Sequence, residues 1–131
     1  MIVVDSNVVA YLYLPGEFTA DVEKLLKREP DWAVPLLWRS ELRNILALYL
    51  RKGLLDFDQA FRIQREAEEL LAEHEYDVDS FDVLTLARDS GCSAYDCEFI
   101  ALAQRLNVKL VTGDAKLRKA FPALTIGLSG G

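Results

Sequence analysis

Near the start of the chain, Ile2-Val3-Val4-Asp5-Ser6-Asn7 sets a carboxylate, a hydroxyl and an amide directly after three apolar residues. Val8-Val9-Ala10-Tyr11-Leu12 then resumes apolar character. A short run that is apolar at every position, not at alternate ones, reads as a strand covered on both faces, as in a parallel sheet. Asp5 then falls at the carboxyl end of that strand, where open α/β sheets hold their ligands. The bland alternative is that Ser6 or Asn7 merely caps the next helix, and this segment alone leaves both readings open.

The rest of the chain alternates helices with short apolar strands. After a short helix stopped by Pro15-Gly16, residues 18–28 form a helix with Thr19 as its cap and Val22, Leu25 and Leu26 inside. A short strand over 32–36 precedes the clearest helix, 37–52, which Gly53 ends. Asp56 caps a long helix reaching about residue 73, and residues 73–78 form a loop or a short edge strand. Asp79 or Ser80 opens a helix to Gly91, Ser93 opens another to Leu106, and Val108-Lys109-Leu110-Val111-Thr112 is a second buried strand. A short helix over 114–121 and an edge strand over 124–126 complete an α/β fold with a mostly parallel sheet. The 131 residues suffice for one domain, 1–131, without repeats or a linker.

A formal net charge of −6 is not the footprint of a protein that grips nucleic acid with a broad basic face. It leaves room for a nucleic-acid enzyme whose acidic pocket meets phosphate through metal ions. Cys92 and Cys97 are spaced neither as a redox pair nor as half of a zinc site, and read as free thiols of a reducing compartment. With a strand beginning at residue 2 and no long apolar run, the expected location is cytoplasmic, off the membrane.

Four carboxylates stand where acids ordinarily do not. Asp5 follows a buried strand. Glu41 lies three residues after Trp38 and four before Ile45, on their apolar helix face, where it needs a cation, a metal or several donors unless Arg39 or Arg43 folds over it. Asp96 shares a stripe with Phe99, Ile100 and Ala103, although Ser93-x-x-Asp96 also fits a capping box. Asp114 follows the second buried strand by one glycine and also fits a helix cap. Such a cluster cannot stay ionised unaided, and an all-oxygen set suits Mg²⁺ or Mn²⁺. The sole histidine, His74, sits in an acidic segment and supports no nucleophilic triad.

These segments resemble the PIN domains, and within them the VapC-type ribonuclease toxins of toxin–antitoxin pairs. The likeness rests on Val3-Val4-Asp5-Ser6-Asn7, Ser40-Glu41-Leu42, Tyr95-Asp96-Cys97-Glu98-Phe99-Ile100-Ala101-Leu102-Ala103 and Leu110-Val111-Thr112-Gly113-Asp114, in order and across the whole chain. One departure is Cys97, where the family usually has a smaller residue after the third acid. The resemblance implies a three-layer α/β/α sandwich and metal-dependent cleavage of RNA phosphodiester bonds. It implies Asp5, Glu41, Asp96 and Asp114 as the catalytic quartet, with Asp5, Asp96 and Asp114 holding Mg²⁺ or Mn²⁺. Asn7 and Thr112 are expected to orient the quartet, and Glu41 to complete the metal shell or position water. Glu98, two positions past Asp96, is expected to point elsewhere.

Arg39, Arg43 and Lys116, which neighbour Glu41 and Asp114, are the expected RNA phosphate contacts. The resemblance also implies a homodimer and a small antitoxin partner. Trp38, Tyr49, Phe57 and Phe61 offer apolar surface for one of these. Three alternatives remain at this point: a PIN nuclease of RNA processing, a phosphotransfer domain with acids at strand ends, and a non-catalytic binding module.

Overall fold

Val3 and Val4 have no solvent exposure, because Ile2–Val4 forms the central strand, β1, of a five-stranded sheet. The computed structural model describes residues 1–128, so residues 129–131 of the expected domain lie outside the described residues. The other strands are β2 (Trp32–Pro35), β3 (Glu75–Tyr76), β4 (Leu110–Val111) and β5 (Thr125–Ile126), in the order β3-β2-β1-β4-β5 with every pairing parallel. Val3 pairs with Ala33 on one side and Leu110 on the other, so β1 is an interior strand with no free edge.

The helices are α1 (Ser6–Tyr13), α2 (Thr19–Arg28), α3 (Trp38–Arg51), α4 (Phe57–Leu71), α5 (Ser80–Ser90), α6 (Ala94–Leu106) and α7 (Ala115–Ala120). Strand order runs outward from β1 in both directions. Right-handed crossovers therefore place α1 to α4 on one face and α5 to α7 on the other. The packing agrees: α3 lies against α1 and α4, while α6 crosses β1, β2 and β4. This is a three-layer α/β/α sandwich. The order reverses between β1 and β4, and that switch point opens a crevice at the carboxyl ends of both strands.

Local details depart from the sequence expectations in instructive ways. The first helix starts at Ser6, and its cap is neither Ser6 nor Asn7 but Asp5, which accepts from Val8 N at 3.0 Å. Thr19 does not cap α2. Its hydroxyl accepts from Gly16 N at 3.0 Å and donates to Leu14 O at 3.2 Å, tying down the Pro15-Gly16 turn. Residues 75–76 resolve into an edge strand, fixed by Val34 N to His74 O (3.1 Å) and Leu36 N to Tyr76 O (3.2 Å). Both cysteines are free and buried. Among the described residues no helix is long and apolar enough to cross a membrane.

Trp38 is not surface. It is fully buried, with its indole N–H donating to Glu75 Oε2 at 2.7 Å, while Tyr49 is half-buried against the core. Phe57 and Phe61 do remain exposed. Glu75 also receives the Arg39 guanidinium through Nε (2.6 Å) and Nη2 (2.8 Å), and Arg39 reaches Glu68 at 3.1 Å. Chiefly through Arg39, and then Trp38, the Glu75 carboxyl is held below the usual glutamate range. A depressed carboxyl contributes stability above its unfolded pKa and loses it as pH falls through the folded one. Glu75→Ala strands three N–H donors, one from Trp38 and two from Arg39, and is expected to cost about 2 kcal/mol at neutral pH. Denaturant unfolding at pH 7 and pH 3 checks this: the difference from wild type should shrink at the lower pH.

Candidate active site

The crevice between β1 and β4 is a cleft of about 510 Å³. Asp5, Glu41, Asp96 and Asp114 line it, each delivered by a different element. Asp5 ends β1 and caps α1, while Asp114 follows β4 and caps α7, accepting from Lys116 N at 2.9 Å and Leu117 N at 3.2 Å. Glu41 comes from the first turn of α3 on one face of the sheet, and Asp96 from the first turn of α6 on the other.

Capping and site formation therefore coexist at the strand ends. An ionised carboxylate has about four lone-pair sites, so a cap leaves others free. At Asp96 only the forward half of the capping box forms: Ser93 Oγ accepts from Asp96 N at 3.0 Å, and the Asp96 carboxylate lies on the cleft.

Thr112, fully buried, is the hub beneath the aspartates. Its hydroxyl donates to Asp5 Oδ2 and accepts from Asp114 N at 3.1 Å. Glu41 is not paired with Arg39 or Arg43. Ser6 Oγ donates to its Oε1 at 2.7 Å, so Ser6, five per cent exposed, is a support of the site and not a turn residue.

The electrostatics follow from burial and crowding. Desolvation is the largest cause pushing Asp5 up, with Asp114 and Asp96 adding to it and Thr112 and Val8 opposing. Glu41 is raised by burial, then by Asp96, Asp5 and Glu98, against the Ser6 hydrogen bond. Asp96 is raised by burial and Asp114, and held back by Ser93 and Lys116. Among the described residues no lysine or arginine lines the cleft, and Lys116 offsets the charge of Asp96 only from outside the lining.

The donor set is oxygen-only, as a hard divalent cation requires. Among the described residues no three acidic, histidine or cysteine side chains are gathered closely enough to form a finished metal cage. The carboxylates fit such an ion in donor chemistry and in charge demand.

A family profile described as the PIN domain matches residues 2–121. The chain belongs to the PIN domain family. Ribonuclease VapC3 of Pyrobaculum aerophilum is 33% identical over 126 residues, spanning 94% of this chain and 96% of that protein. The crystal structure of another Pyrobaculum aerophilum protein superposes with a TM-score of 0.77 at 23% identity, over 97% of this chain and 90% of the other. FitAcB from Neisseria gonorrhoeae superposes at 0.73 with 20% identity, over 98% of each chain. A toxin–antitoxin complex from Klebsiella pneumoniae superposes at 0.70 with 14% identity, over the full length of both. These three share the fold.

Within this PIN domain, the expected basic contacts lie off the cleft wall. Arg39 is engaged by Glu75 and Glu68 at the β3 edge. Arg43 points into a groove between α3 and α4. Lys116 is exposed, close enough to Asp96 to lower its pKa but not on the lining. Asn7 lines the cleft from the first turn of α1, yet among the described residues it forms no hydrogen bond to the quartet. Glu98 is nearer than expected, since its charge reaches Glu41. Sequence reasoning missed Ser6 and Asn44. Asn44 lies three residues after Glu41, a helical spacing that could have placed it on the same face.

Proposed function

We propose that this PIN domain is a Mg²⁺- or Mn²⁺-dependent endoribonuclease that hydrolyses RNA phosphodiester bonds, acting as the toxin of a VapBC-type toxin–antitoxin pair. The observation that carries the reading is the quartet itself: four carboxylates from four elements line one cleft at a topological switch point, with no lysine or arginine among the described residues of that lining. The likeness to Ribonuclease VapC3 and to a toxin–antitoxin complex supports the substrate and the toxin role.

Asp5, Asp96 and Asp114 would hold the ion. When bound, it offsets the charge of the acids and of the phosphate, and makes water at the site more acidic. Thr112 keeps Asp5 turned toward the cleft and fixes the backbone from which Asp114 projects. Glu41, pinned by Ser6, orients the attacking water in line with the scissile phosphate and accepts its proton. The chain need supply no covalent nucleophile, in keeping with a cleft lined by carboxylates.

The proposed partners are an antitoxin and a second copy of the chain. Phe57 and Phe61 stack at 6.1 Å on the exposed side of α4, over a groove floored by Leu46 and Leu50. That apolar groove suits an amphipathic helix. The function is tested with purified protein and labelled single-stranded RNA. Cleavage is expected in Mn²⁺ or Mg²⁺ and is abolished by EDTA. Cleavage that persists after chelation and dialysis would overturn the metal-dependent reading.

A further inference from the structure

A second cleft, of about 590 Å³, lies across the β4–α7 turn from the acidic one. The two share that turn as a wall. Gly113 and Arg118 line the second cleft, whereas Asp114 and Leu117 line the first. Tyr11 and Phe18 form the far wall, their rings 5.0 Å apart and inclined by 39°. Burial is the main cause raising the Tyr11 phenol, and the Asp5 charge is the next, so Tyr11 lies within electrostatic reach of the acidic cleft.

Arg118 is the unusual component. Its Nε–H is buried without an acceptor among the described residues. The guanidinium lies flat against Gly127, where an added Cβ would come within 3.2 Å of Nη1. Arg118 as a whole is half-buried on the cleft lining and forms no ion pair among the described residues, so its charge is open to an anion that enters the cleft. Aromatic rings beside an arginine are the components with which proteins hold single strands: bases stack, and the planar fork grips a phosphate. Because residues of one turn line both clefts, a strand with one phosphate among the acids can continue over that turn toward the second cleft.

We propose that this cleft binds one nucleotide of the RNA strand beside the scissile phosphate, its base against Tyr11 and Phe18 and its phosphate on Arg118. The inference rests on the ribonuclease reading and assigns it a substrate subsite. It also places a cation for RNA in a chain of net charge −6, where Arg39 and Arg43 are turned elsewhere.

The test is fluorescence anisotropy with a short fluorescein-labelled single-stranded RNA, in EDTA so that the strand stays intact, over a range of salt. Arg118→Gln is expected to weaken binding about tenfold and to flatten the slope of log affinity against log salt by about 0.7, one phosphate on a single strand. Phe18→Leu is expected to weaken binding about fivefold with the slope kept, because stacking carries no counterions. Arg118→Lys keeps the charge and should keep the slope, which separates phosphate contact from a folding defect. Thermal melts of all three variants should match wild type. If wild type cleaves RNA in Mn²⁺ while Arg118→Gln binds with unchanged affinity and slope, the subsite is overturned and the nuclease reading stands. If wild type neither binds nor cleaves RNA, both fall.

Discussion

Asp5→Asn is expected to lower kcat/KM for RNA cleavage by at least about a hundredfold while leaving the fold intact. The carboxylate has two attachments to the protein: Oδ1 accepts from Val8 N at 3.0 Å, and Oδ2 accepts from Thr112. Asparagine keeps an oxygen for Val8, and it caps helices as well as aspartate does, so α1 should stay in place. Its amide nitrogen, however, cannot accept from the threonine hydroxyl, and a neutral amide is a poorer partner for a hard cation than a carboxylate. The measurement is initial rate against Mn²⁺ concentration, with a thermal melt as the check on folding. A wild-type rate in the variant would remove Asp5 from the proposed metal ligands.

Asp96→Asn should act in the opposite direction on stability. In the metal-free protein Asp96 is pushed up by burial and by Asp114, so its ionised form is penalised in the fold. Relieving that penalty is expected to stabilise the metal-free variant by a few tenths of a kcal/mol, on the order of 1–2 °C in Tm, because solvent screens a partly exposed carboxylate. The Ser93 cap survives, because its donor is the Asp96 backbone N–H. The pH sign follows: when both states are protonated there is no penalty, so the advantage is absent below the ordinary aspartate value of 3.8 and grows as pH rises through the raised native value. Melting curves with EDTA and with Mn²⁺ give the full comparison. Wild type should start lower and gain from the ion, whereas the variant should start higher and gain little. Equal gains from Mn²⁺ in both proteins would show that Asp96 does not hold it.

The layers of the fold were legible because burial on both faces leaves an unbroken apolar run, as in Ile2-Val3-Val4, and because α3 and α4 carry clean helical periodicity. The quartet was legible for a related reason: a carboxylate on an otherwise apolar stripe, like Glu41, contradicts the pattern around it. What the pattern could not convey was partnership. Ser6 and Glu41 are 35 positions apart, and nothing local marks a serine as the donor for a distant acid. Arg39 was misplaced for the same reason, since its proximity to Glu41 in sequence says nothing of Glu75, which β3 brings to it from across the sheet. Trp38 looked like surplus surface because its buried acceptor, also Glu75, lies 37 positions away. The cap-or-site choice at Asp5 and Asp114 was a false opposition, as each residue caps its helix and also lines the cleft.

The link between Thr112 and Asp5 spans 107 positions. β1 precedes every other described strand in the chain, yet one of its two sides is closed only when β4 settles beside it. A nascent chain released before residue 112 thus carries Asp5, Glu41 and even Asp96 without the threonine that aligns the first of them. Loss of β4 removes that threonine from Asp5, so the proposed RNA-cutting activity would require residue 112 to be in place beside β1.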